Sequence, residues 1–417
     1  MNEMNTASSP ACSCGPAAMY PPPPRSGGLS AREPDATYLA PKPKRPAWSD
    51  ASVALFAALG RPAKLRPLAP FRREFVDRYV PNESSLLPPE LAHQLHRAAA
   101  WNETLKRGAF GRAVREPFVI DLAWSSSLLE GNTFTRQDTE SLFGLSPLLL
   151  QGGGAAHGEE IQMLINHKSA IEHLLNCAPN SNLCMELVFA VHDRLMDGLL
   201  DDVADQGRVR RHAIEIRGSV FEPEQDPAAL NELLEQILEK GAAVRNPVEA
   251  AFFLWVSLAY LQAFADGNKR TSRLMANVPL LLHNCAPISF EGITELEYGL
   301  AMVGVYERND LSAAIDVFAF TYRRSMQKYV AMMANRPLPD PRAMRYRAQL
   351  RRVMKAVVIE RKSVAAAIVQ EWMSPNEAAE LAELVAERLP ALQADSGPRY
   401  ELDSARIDAW IAAGRPY

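Results

Sequence analysis

The sequence predicts a mainly α-helical protein: a helical bundle that carries a small β-hairpin, with a small C-terminal α or α+β unit behind it and a disordered, proline-rich N-terminus ahead of it. Three observations point there. Apolar residues recur at spacings of three and four over most of the chain from about residue 85. Breakers gather in Arg336-Pro-Leu-Pro-Asp-Pro341 and separate a long helical region from a second unit starting near 342. One short stretch, residues 209–224, departs from the helical period.

Residues 1–46 contain Pro21-Pro22-Pro23-Pro24 and Pro41-Lys42-Pro43-Lys44-Arg45-Pro46 and have no periodic apolar face, so they are expected to be a solvated tail. Residues 47–335 are expected to form one domain. Within it, helical periodicity covers 90–110, 117–130, 159–176, 183–200, 227–240 and 247–264, the last apolar on every side and so expected at the centre. Ala213, Ile214 and Ile216 on one side and Val220 and Phe221 on the other flank Gly218-Ser219, which reads as two short strands joined by a turn. Helices resume over 270–284 and 295–327. In the second unit, 342–417, a basic amphipathic helix over 342–362 precedes a helix over 378–389, a short strand over 399–403 and a capped helix over 404–413. The basic face reads as solvated surface, with nucleic-acid or partner binding as the lesser alternative.

The 417 residues are 47% hydrophobic and carry 45 basic against 49 acidic side chains, a formal charge of -4, which excludes the cationic excess of a nucleic-acid coat. Five scattered cysteines do not make a disulfide framework, and no basic-then-apolar leader opens the sequence, so a reducing, cytoplasmic setting is expected. The longest apolar stretch, 250–264, is shorter than a bilayer span; no membrane association is expected. A homodimer is left open.

The chemistry concentrates in residues 262–273, Gln-Ala-Phe-Ala-Asp-Gly-Asn-Lys-Arg-Thr-Ser-Arg. Gly267 allows a sharp turn, after which Asn268 and the next N–H groups open a helix whose dipole favours phosphate. Asp266 at the rim suits a magnesium ion bridging phosphate oxygens. Arg270 and Arg273, one turn apart, can face the same phosphate chain.

This segment resembles the signature of the Fic, or Fido, family, His-x-Phe-x-(Asp/Glu)-Gly-Asn-x-Arg-x-x-Arg. Phe264, Asp266, Gly267, Asn268, Arg270 and Arg273 stand at its positions, and Gln262 replaces the histidine. Val191-His-Asp-Arg-Leu-Met-Asp-Gly198 with Gly207-Arg-Val-Arg210 resembles the family's lead-in to the hairpin called the flap, here 209–224. Ser126-Ser-Leu-Leu-Glu130-Gly131-Asn132 is similar to its inhibitory motif. The resemblance covers about residues 85–330. It implies a Fic-type helical bundle with ATP and Mg2+ as cofactors and transfer of AMP to a hydroxyl of a target protein docked on the flap. In that scheme Asp266 holds magnesium, Gly267, Asn268, Lys269, Arg270 and Arg273 hold the phosphates, and Ser126, Glu130 and Gly131 form the inhibitory element, Glu130 pairing with Arg273. It implies too that Gln262 lacks the proton-accepting state of the family's base. His212 and then His192 are the nearest substitutes. Lys269, where many family adenylyltransferases have glycine, keeps a Doc-like phosphotransferase open, and a non-catalytic ATP-binding or protein-interaction module is the further alternative.

Overall fold

The computed structural model describes residues 45–100, 106–145, 158–177, 183–334, 341–393, 397 and 400–416. The proline-rich tail up to residue 44 and most of the expected linker lie outside these. The chain divides into two compact units, Met1–Met333 and Ala334–Tyr417.

In the first unit the helices are α1 (Asp50–Leu59), α2 (Glu74–Asp77), α3 (Pro89–Ala99), α4 (Ala109–Ala113), α5 (Arg115–Leu128), α6 (Arg136–Gly144), α7 (Gly158–Cys177), α8 (Met185–Met196), α9 (Pro227–Ala243), α10 (Pro247–Leu261), α11 (Asn268–Met275), α12 (Asn277–Leu282), α13 (Glu295–Arg308) and α14 (Ser312–Ala334). Their starts follow local chemistry. Asp226 and Asn246 cap α9 and α10 with a proline at the first helical position, and Thr135-Asp138 and Thr294-Glu297 form capping boxes. α10 is buried along its whole length, as its all-round apolarity requires, and packs against α3, α9, α11, α12 and α13. Its one ionisable residue in the first turn, Glu249, is satisfied by Tyr79 Oη and the amides of Leu86 and Leu87, which straps the N-terminal segment across the helix.

Some expected elements differ. The expected helix over 270–284 is interrupted at Ala276: Pro279 has no N–H to continue the ladder, and Asn277 turns its amide to Arg273 O and Ile288 O. The helix expected over 295–327 breaks at Asn309, left-handed at φ 50. Residues 209–224 contain the Gly218-Ser219 turn, closed by Ser219 N–H to Ile216 O, but the two arms form no ladder with each other among the described residues. Strand β2 (Phe221–Glu222) instead pairs in parallel with β1 (Ala69–Pro70). Val220 O and Glu222 O accept from Ala69 and Phe71, so the groups a hairpin needs are already taken.

The second unit contains α15 (Pro341–Arg345), α16 (Arg347–Val358), α17 (Val364–Val369), α18 (Pro375–Arg388) and α19 (Ser404–Ala412) around a core that includes Met354, Leu384, Ile407 and Trp410. Its described residues contain no strand: Glu401 is left-handed at φ 56 and Asp403 caps α19, so the described part of the expected strand, 400–403, is not extended pairing backbone. Much of the basic face is paired within the unit. Arg342 meets Glu383 and Glu387, Arg352 meets Glu371, and Lys355 meets Glu401. Among the described residues no helix is long and apolar enough to cross a membrane. Among the described residues Cys285 is buried and Cys177 half-buried, and neither takes part in a disulfide.

Candidate functional site

α10 ends because Gln262 adopts the left-handed conformation, φ 53 and ψ 48. Its carboxamide folds inward: Nε2 donates to Ala259 O at 2.7 Å and lies 3.3 Å from Tyr306 Oη. The loop that follows is closed by Asn268, whose Oδ1 accepts from Phe264 N–H at 2.9 Å and whose Nδ2 donates to Phe264 O at 2.8 Å. Asn268 therefore spends its side chain on loop shape and has its backbone N–H to offer an anion. The Phe264 ring stacks on His192, centroids 4.0 Å apart. Gly267 turns the chain into α11 at φ 74, where a Cβ would stand 2.6 Å from Met196 Sδ.

From α11, Arg270 Nη2 meets Asp266 Oδ2 at 2.6 Å, and Arg270 Nη1 is buried without a hydrogen-bond partner. Arg273 is fully buried. Its Nε donates to Ser126 Oγ at 3.0 Å, its Nη2 to Ser126 O at 3.0 Å and to Glu130 Oε1 at 2.6 Å, and its plane lies over the Tyr298 ring. Nη1 of Arg273 also lacks a hydrogen-bond partner. The second oxygen of Glu130 takes Lys269 Nζ at 2.8 Å. Burial pushes the Glu130 carboxyl up, but Arg273, Lys269 and Arg270 outweigh it and hold its pKa down at about 2. The ends of α5 and α11 thus meet through one ionised carboxylate between two cations. Gly131, at φ 90, turns the chain away just after Glu130.

Behind this contact lies His167 of α7, which no motif marks. Its Nδ1 donates to Met163 O at 2.8 Å, so Nε2 accepts from the Ser126 hydroxyl at 2.9 Å, and burial holds its pKa down at about 3. The neutral imidazole fixes the direction of the Ser126 hydroxyl, leaving its oxygen to accept from Arg273.

Of the two substitute bases, His192 is not poised for proton transfer. His192 Nδ1 accepts from Gly207 N–H at 3.0 Å, so Nε2 carries the proton and donates it to Asp266 O at 3.0 Å; burial depresses its pKa to about 4. Both ring nitrogens are engaged in holding the loop. His212 is half-exposed with Nδ1 3.6 Å from Asp205 Oδ2.

The residues fit a magnesium-bound polyphosphate. Arg270 and Arg273 each keep a buried, unpartnered N–H group at the start of α11, where a helix attracts anions. The Asp266 carboxylate, 65% exposed, stands at the rim. No cluster of three or more His, Cys, Asp or Glu side chains could hold a metal among the described residues, so phosphate oxygens and water would complete the shell of a magnesium on Asp266.

Residues 182–280 match the sequence model of the Fic/DOC family. The chain is 23% identical over 230 residues to "Protein adenylyltransferase fic-1" of Caenorhabditis elegans, covering 54% of this chain and 44% of that protein. It is 26% identical over 194 residues to "Protein adenylyltransferase Fic" of Drosophila melanogaster, covering 43% and 36%. The chain spans less than half the length of these relatives. Among solved structures, Fic-1 (aa134 - 508) from C. elegans aligns with a TM-score of 0.45 at 20% identity over 63% of this chain and 72% of that one. A Fic domain containing signaling protein from Bacteroides thetaiotaomicron aligns with a TM-score of 0.43 at 15% identity, over 70% and 99%.

Proposed function

Because residues 182–280 of this chain belong to the Fic/DOC family, we propose that the protein binds magnesium–ATP at the start of α11 and descends from adenylyltransferases that transfer AMP to a target-protein hydroxyl. Asp266 holds the metal, the opening turn of α11 with Arg270 and Arg273 holds the phosphates, and the exposed stretch 211–218 receives the target. When bound, magnesium–ATP supplies an electrophilic phosphorus and a charge-neutralised leaving group. Glu130 holds nucleotide binding down. The observation that carries this reading is the Glu130 carboxylate seated between Arg273 and Lys269, because a carboxylate and a phosphate cannot occupy one guanidinium fork together.

Calorimetric titration of magnesium–ATP into the wild type and Glu130→Gly tests the nucleotide part. The variant is expected to bind about tenfold or more tightly, the gain from freeing one charge-assisted contact. Absence of binding by both proteins would sink the reading.

One observation favours a second reading, a module that binds nucleotide and partner without transferring anything. The Gln262 side chain is directed to Ala259 O and Tyr306 Oη, and a carboxamide cannot take a proton near neutral pH. That reading expects no label transfer by Glu130→Gly and partner capture that survives Arg273→Ala.

A further inference from the structure

Arg210 is buried at 1% exposure, and its chain position joins two parts of the site that share no regular element. Its backbone N–H donates to Ala263 O at 3.0 Å and its Nε to Gln262 O at 2.9 Å, so backbone and side chain both grip the turn that ends α10. The other end of the fork reaches the segment that follows. Nη1 donates to His212 O at 2.9 Å and to Gln225 Oε1 at 2.8 Å, and Nη2 donates to Glu224 O. One guanidinium therefore closes the base of the 212–224 loop, entry against exit, and fastens it to the residue at the position of the missing base. The tip is held separately: Ser219 Oγ and Val220 N–H donate to Glu307 Oε1, and Arg66 Nη2 donates to Gly218 O at 2.7 Å. Between these clips, Arg211, His212, Ala213, Glu215 and Arg217 face solvent.

We propose that Arg210 is a positioning residue that fixes the height of the exposed 211–218 stretch over the Gln262 turn, so that whatever docks on the stretch meets the phosphate site in one register. What docks there rests on the transferase reading above; the clip itself does not. The planar fork is what the geometry needs, since three carbonyls and an amide oxygen in different directions cannot be spanned by a single ammonium group.

Hydrogen–deuterium exchange on the full chain tests this with Arg210→Lys and Arg210→Gln. Both are expected to raise exchange in peptides covering 207–224 and 260–266 about tenfold, the loss of one or two charge-assisted bonds, while α5, α7 and α14 stay as in the wild type. Wild-type exchange in Arg210→Lys would overturn the proposal, because charge and burial alone would then suffice; so would a rise spread over all helices. Should neither variant fold, Gln225→Leu, which removes one partner of the fork, decides by the same comparison with a rise of about threefold. Magnesium–ATP affinity, measured alongside, is expected to stay within about threefold of wild type. A wild type that binds no nucleotide overturns the transferase reading and leaves the exchange result to judge Arg210.

Discussion

Oε1 of Glu130 lies 2.6 Å from Nη2 of Arg273, in a setting where the arginine has no contact with solvent and the carboxylate little. Removing one partner strands the other as a buried charge, which typically costs about 3–5 kcal/mol. Arg273→Ala and Glu130→Ala are each expected to destabilise the first unit in urea, with the double variant losing less than their sum. Additive losses within about 0.5 kcal/mol would show that the pair is not formed in solution.

Acid should loosen the fold through histidines before it reaches Glu130. Burial holds His167 at about 3 and His192 and His283 at about 4, all below the usual 6.5, so the unfolded chain takes up protons first as pH falls from 6.5. Stability is therefore expected to decline by about 1.4 kcal/mol per pH unit for each fully neutral histidine between about 6.5 and 4. Glu130 behaves oppositely in range: its depressed pKa contributes stability present above 4.5 and lost only as pH falls toward 2. Urea midpoints at pH 7 and pH 5 check this, and equal midpoints would contradict the buried neutral imidazoles.

Gly267 joins the loop to α11 at φ 74 with Met196 Sδ in the way of a Cβ. Gly267→Ala is expected to cost about 1–2 kcal/mol, the left-handed penalty of an L side chain. Displacement of Met196 should also weaken magnesium–ATP binding. Unchanged stability and affinity together would show the turn to be uncritical.

At Gln262, φ 53 makes a β-branched side chain costly. Gln262→Val is expected to lose about 1–3 kcal/mol, whereas Gln262→Gly trades the lost bond to Ala259 O against relief of the backbone and should fall within about 1 kcal/mol of wild type. Equal losses in chemical denaturation would show that the turn is not set by φ.

The legible parts of this chain are those whose signal is local. The helices expected from 247 and from 295 start where apolar periodicity places them, and the structure shows local caps there, Asn246 before Pro247 and the Thr294–Glu297 box. The apolar run of α10 announces its own burial. Glu130 and Arg273 can be named in advance because each sits in a short motif. His167, Tyr298 and Tyr306 cannot, since their relation to Arg273, Ser126 and Gln262 is made by helices brought together in space. The expected hairpin fails for the same reason in reverse. Its local pattern is sound, but Ala69 and Phe71, far upstream in the chain, take the carbonyls it would have used.

Transfer of label from ATP, compared between Glu130→Gly and Glu130→Gly/Gln262→His, tests the central claim most directly. Glu130→Gly alone is expected to bind nucleotide and transfer at or near background. The double variant should transfer about 10²–10⁴-fold faster, the usual contribution of a general base. Full-rate transfer with Gln262 in place, or no transfer by the double variant despite tight nucleotide binding, would contradict it.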